Sequence, residues 1–249
     1  MDASIARIGH GIVTPGVVPA SVLLKEGRPD WLRHWAAFAA GSRFADLPDA
    51  VVHRVKLVLL DSVGVIAAGM QEPEMRALAG RLAGRRQLAV TSEAAAIGAG
   101  LHLASPDAAF LNGTAGTMLE LDEGNQYARG HPGIHVIPAA LAAAVDAGAA
   151  GSELLLAIVL GYEIGSRVGI ASKLRVTMHP HGTWGTIGAA AAVACLAGAG
   201  PAAFAETISI ASSLGLSTSR RTMLEGGTVR NTYAGFSNRL GMTAWDLAA

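Results

Sequence analysis

The sequence predicts an all-α fold, one large helical bundle, on three observations. About a fifth of the 249 residues are alanine, the strongest helix former, and 31 are glycine, which lets helices pack closely. Aromatic residues make up only 5%, and runs of the β-branched and aromatic type that favour strands are scarce. Helix start signals also recur ahead of segments whose apolar residues fall three and four apart.

Taken in order, Met1 to Asp30 holds three prolines among scattered glycines and reads as an irregular arm. The domain proper is expected over residues 31–249. Helical pattern begins at Trp31. Asp46 is placed to cap a helix with Pro48 in its first turn, running through Val51, Val55, Leu59 and Val63 toward Gly69. Pro73 to Leu82 is a shorter helix, and Gln87 to Ser92 an extended piece. Ser105-Pro106-Asp107 offers a capping hydroxyl, a proline at the first helical position and an acid, starting a helix that should end near Glu120. Further helices are expected from Pro138 to Ala147, Ser152 to about Ala171, Thr183 to Leu196, and Pro201 to about Leu214. No fixed period repeats, so a solenoid is not expected.

Composition excludes several function classes. Nineteen Lys plus Arg balance nineteen Asp plus Glu, which argues against a general nucleic-acid binder. Charged residues are 15% and hydrophobic ones 51%, too apolar for disorder and enough for a core. The lone Cys195 provides no internal disulfide and suits a reducing compartment. Asp146 and Glu153 interrupt the apolar run from Val136 to Tyr162. Gly200-Pro201 and Glu206 interrupt the run from Thr183 to Leu216. Neither gives the roughly 18 unbroken apolar residues of a membrane span. A cytoplasmic protein without membrane or nucleic-acid partners is the expectation. A glycine-rich phosphate loop and a Gly-x-Ser-x-Gly elbow are both missing, which removes support for nucleotide folds and for Ser-His-Asp hydrolases.

Polar residues concentrate in a few segments. Glu120-Leu121-Asp122-Glu123 puts three carboxylates at the expected end of the Ser105 helix, where the macrodipole disfavours acids. That reads equally as a fraying, solvated end or as the seat of a general acid or base with a raised pKa. Arg129 to His135 follows, carrying His131-Pro132-Gly133-Ile134-His135. His179-Pro180-His181-Gly182-Thr183 then precedes a helix whose free N–H groups can receive an anion. His131 and His135 stand four apart, and Glu120, Asp122, His179 and His181 could complete a metal set. Pro132-Gly133 between the first pair argues against the helix such spacing needs, and no metal is expected. Ser217 to Arg239 contributes Arg220, Arg221, Arg230 and Arg239, whose forks suit carboxylates. Acid, histidines and arginines together fit proton abstraction next to a carboxylate.

The order of motifs resembles the MmgE/PrpD family. It runs through Leu60-Asp61-Ser62-Val63-Gly64, Phe110-Leu111-Asn112-Gly113-Thr114-Ala115, Leu121-Asp122-Glu123 and His131-Pro132-Gly133. It continues through Gly161-Tyr162-Glu163, His179-Pro180-His181-Gly182-Thr183 and Gly185-Thr186-Ile187-Gly188. The resemblance implies a lyase, dehydratase-like, or an isomerase, acting on a small di- or tricarboxylate without metal or organic cofactor, usually as a homodimer. It implies catalytic roles for Glu120, His131 and His179, with Glu120 orienting a histidine. It puts Arg230, where the family has lysine, on a substrate carboxylate, and Asp122, Thr183 and His181 at the substrate. Gly124 stands where the family carries threonine. Family members are longer and add an α/β lid, so the resemblance implies the helical domain alone here, with the lid absent and turnover weak or nil. The competing reading is a catalytically silent helical module for oligomerisation or partner binding.

Overall fold

Ten α-helices and one short hairpin make up the described part of the computed structural model, residues 27–84 and 92–249. The helices are α1 (Asp30–Gly41), α2 (Asp49–Gly69), α3 (Pro73–Ala83), α4 (Ser105–Ala115) and α5 (Pro132–Ala147). After them come α6 (Gly151–Ala171), α7 (Gly185–Leu196), α8 (Pro201–Ser213), α9 (Arg220–Leu224) and α10 (Thr232–Ala248). Strands β1 (Glu93–Ala96) and β2 (Leu101–Ala104) pair antiparallel with Glu93 opposite Ala104.

The centre of the bundle is α7. Every residue from Gly185 to Ala194 is buried, and α5, α6, α8 and α10 surround it. Its sequence explains how that many neighbours fit. A Cβ on Gly161 of α6 would lie 2.7 Å from the carbonyl oxygen of Gly188 in α7, so these two backbones touch. Alanine fills most of the remaining α7 positions, and Leu160, Ile164, Phe204 and Ile208 supply the bulk around it. By length and composition α6 could cross a membrane. In this fold half of its most apolar window is buried inside the protein.

Several expectations need correction. Asp46 does not cap α2. It closes a 3₁₀ turn over Phe44–Asp46 by accepting from the Arg43 N–H, and Pro48 takes the N-cap position. Ser105 is the first residue inside α4, and its hydroxyl donates to Asp146 across the bundle at 2.5 Å. That helix ends at Ala115, so Glu120 to Glu123 lie in a loop. Most of the expected extended piece at Gln87 to Ser92 lies outside the described residues, and Ser92 belongs to no regular element. The actual hairpin is built from Glu-Ala-Ala-Ala and Leu-His-Leu-Ala, and the Asn112 side chain pins it through Ile97 N–H and Ala95 C=O, both at 2.9 Å. The largest revision is α5, which begins at Pro132, six residues earlier than expected, with proline at its first position and His131 as N-cap.

Candidate active site

Two loops bring the histidines together. The first joins α4 to α5. Asn125 and Gly130 form an antiparallel bridge, and the Asn125 side chain accepts from the Tyr127 and Ala128 N–H groups at 3.0 Å, closing a tight turn just before His131. The second joins α6 to α7 and is tied down by the segment before α9. His179 N–H donates to Thr218 C=O, and the Thr218 hydroxyl reaches the carbonyls of His179 and His181 at 2.7 and 2.8 Å. Gly182 is required in this loop. Its φ is +83°, and a Cβ would sit 2.6 Å from a Thr218 methyl carbon.

The product is a column of imidazoles. His181 is stacked between His131 (ring centroids 4.9 Å apart) and His179 (4.6 Å). Behind it, His135 Nε2 lies 2.6 Å from His181 Nδ1, with both side chains buried. His135 is therefore on a helix after all, because Pro132-Gly133 opens α5 rather than breaking it.

Hydrogen bonding assigns the protons. Around His131 Nδ1 lie Glu123 C=O at 3.0 Å, Asp122 Oδ2 at 3.1 Å and Asp122 C=O at 3.3 Å. Three acceptors and no donor hold the proton on Nδ1 and leave Nε2 with the free lone pair. Burial alone would depress the His131 pKa, but the buried Asp122 carboxylate and the two carbonyls outweigh it, so the net shift is upward. His179 is the reverse case. Its Nδ1 accepts from the His181 N–H at 3.2 Å, which leaves the proton on Nε2, 3.2 Å from the Met223 sulfur. Burial and then the Arg230 charge push His179 down to about 4. Burial also depresses His181 well below the ordinary range and His135 to about 3, so this pair stays neutral. The cluster thus holds one imidazole biased toward protonation and three biased against it.

The remaining expected residues are distributed differently from their expected roles. Glu120 has φ +54° and does not reach a histidine. Its carboxylate takes both terminal nitrogens of Arg230, at 2.5 and 2.6 Å. Asp122, expected at the substrate, is the acid beside His131. Arg230 is buried, anchored also by Thr117 C=O and the Asn231 side chain, with Glu120 about two-thirds exposed above it. Thr183 turns back on its own loop, its N–H and hydroxyl both donating to Pro180 C=O, and α7 starts two residues later. Among the described residues, Asp122, His131 and His181 form the set with metal-ligand spacing, one atom from each lying within 4.8 Å of the others.

Glu123 enters the sequence reading only as one of three clustered carboxylates and Tyr162 only within a motif, and neither is given a role of its own there. Glu123 accepts from the Tyr162 hydroxyl at 2.5 Å and from Gly133 N–H at 3.0 Å, while its carbonyl receives His131. It joins α6 to the first turn of α5. The signals were the crowded carboxylates of Glu120 to Glu123 and Tyr162 within Gly-Tyr-Glu. Burial raises the Glu123 pKa above the ordinary 4.5, against the lowering effect of those two hydrogen bonds. The folded state therefore holds this proton more tightly than the unfolded chain, so its stabilising contribution is full below about pH 4.5 and lost as pH rises through the raised value. Glu123→Gln is expected to gain stability relative to the parent between about pH 5 and 7.5. Urea midpoints at the two pH values check it, and an unchanged difference between variant and parent would contradict it.

A family model described as the MmgE/PrpD N-terminal domain matches residues 33–249. No curated relative matches the chain.

Proposed function

The chain belongs to the MmgE/PrpD family, and from that premise we propose that its histidine column moves a proton at a carbon next to a carboxylate of a small di- or tricarboxylic acid. Membership points to dehydratase-like chemistry in general. The finer reading rests on one observation: an imidazole with a free Nε2 lone pair and a neutral imidazole with an N–H flank the same buried ring, with an arginine alongside.

In this reading His131 Nε2 takes the proton from carbon, and the imidazolium that forms is stabilised by Asp122 at 3.1 Å. The electron pair moves into the adjacent carboxylate as an enolate, whose charge Arg230 balances. Expulsion of a β-hydroxyl, which leaves as water by taking the proton from the His131 imidazolium while His179 Nε2–H hydrogen-bonds to it, completes a dehydration. Return of the proton to carbon instead gives an isomerisation. Arg230 is engaged by Glu120, so an incoming carboxylate exchanges with the exposed Glu120 side chain at the same fork.

Assays with 2-methylcitrate, cis-aconitate and related acids test this, comparing the parent with His131→Ala and His179→Ala. Turnover that falls in both variants supports the reading. Full turnover in either variant would remove that histidine from the reaction, and none in the parent with any such acid favours the silent helical module. A chelator is expected to leave turnover unchanged, because the proposed proton transfer uses the His131 Nε2 lone pair as a base and requires no cation. Loss reversed by added zinc would instead assign Asp122, His131 and His181 to a metal.

A further inference from the structure

We propose that a second anion site, for a phosphate-type dianion, lies behind the histidine loops, in a cavity of about 230 Å³ walled by Arg129, Arg175 and Arg220. Its walls come from the turn before His131, the segment between α6 and His179, and the start of α9. No acidic side chain among the described residues lines it. Among the described residues, none of these three guanidinium groups has a carboxylate partner. By contrast, Arg28, Arg167, Arg221, Arg230 and Arg239 each meet an acid. Three like charges around one concavity repel each other, and an anion between them adds attractive terms at shorter range that offset the repulsion. Arg129 is also held at φ +54°, a conformation an unbranched L-residue adopts only at some cost.

The charge and shape favour phosphate over carboxylate. A carboxylate presents two oxygens, which one or two forks satisfy. A phosphate presents three or four oxygens and close to two negative charges, matching three arginines. The C-terminal end of α6 borders the cavity at Gly169 and Ser172 and opposes an anion with roughly half a charge. Three full positive charges outweigh it.

The site is separate from the histidine column. Trp184 lines the cavity and meets His135 edge-on, ring centroids 4.9 Å apart, so the indole stands between the two. It is nevertheless coupled to that column. Arg129 is two residues before His131, and Arg220 N–H donates to Thr177 C=O two residues before His179. A bound dianion would therefore draw both histidine-bearing loops onto one point.

Calorimetric titration of the chain with inorganic phosphate and with glycerol 3-phosphate, at constant ionic strength, tests the proposal. Succinate serves as the carboxylate comparison. Arg175→Gln and Arg220→Gln change exposed side chains and should leave the fold intact, and Arg54→Gln is the control for an unpaired arginine elsewhere. Saturable phosphate binding is expected, weakened about tenfold or more in each of the first two variants, as for loss of a charge-assisted contact, and unchanged in the control. Binding of the monoester as well identifies the phosphate group, and binding of free phosphate alone identifies the inorganic ion; both support the site. No saturable binding overturns it, as does binding indifferent to Arg175 and Arg220. Tighter, arginine-dependent binding of succinate also overturns it.

Discussion

His131→Ala is expected to lower turnover by about 10²- to 10⁴-fold, the range for loss of a positioned general base. Asp122→Asn is expected to cost less, because the carbonyls of Glu123 and Asp122 still hold the proton on Nδ1 and keep the Nε2 lone pair free. Its distinguishing effect is on pH dependence. Asp122 raises the His131 pKa, and the base works only when unprotonated, so the acid limb of kcat/KM sits above the ordinary histidine value of 6.5 in the parent. Removing the carboxylate moves that limb to lower pH. A pH profile of kcat/KM for both proteins checks this, and an unmoved limb would detach Asp122 from the base.

Asn238→Ala is expected to destabilise the fold by about 3–5 kcal/mol, from two buried backbone groups left unpaired at about 1–3 kcal/mol each plus a small cavity. Pro138 lies inside α5 and has no N–H for the carbonyl of Ile134. The fully buried Asn238 side chain of α10 fills the gap, donating to Ile134 C=O at 2.9 Å and accepting from Ala139 N–H at 2.8 Å. One amide supplies both the donor and the acceptor that the proline displaces. Thermal melts are expected to fall by roughly 10 °C or more for the alanine variant, and a shift under about 2 °C would mean that the α5 backbone is satisfied some other way.

Most helices were legible because their signals are local. Pro73, Ser152 and Pro201 each lie within a residue of a helix start, and the apolar spacing carried each helix close to its observed end. The hairpin was hidden because Ala94, Ala96 and Leu103 form its buried face, and alanine carries no strand signature. Pro132 was read as a break when it was a start, which displaced His135 from its helix. The histidines were found as a group since each sits in a short polar segment of an apolar chain. Their acids were exchanged because partner choice depends on distant residues. The left-handed backbone at Glu120 accompanies its pairing with Arg230, 110 positions away, while Asp122, two residues on, lies at His131. Nothing in the local sequence distinguishes those two carboxylates.

The central claim is that His131 Nε2 removes a proton from carbon next to a carboxylate. Its most direct test is proton NMR of a candidate acid incubated with the protein in D₂O, which reads carbon–hydrogen exchange whether or not a net reaction follows. Deuterium uptake at that carbon is expected with the parent, slower uptake with Asp122→Asn and none above background with His131→Ala. Uptake that persists at the parent rate in His131→Ala would contradict it.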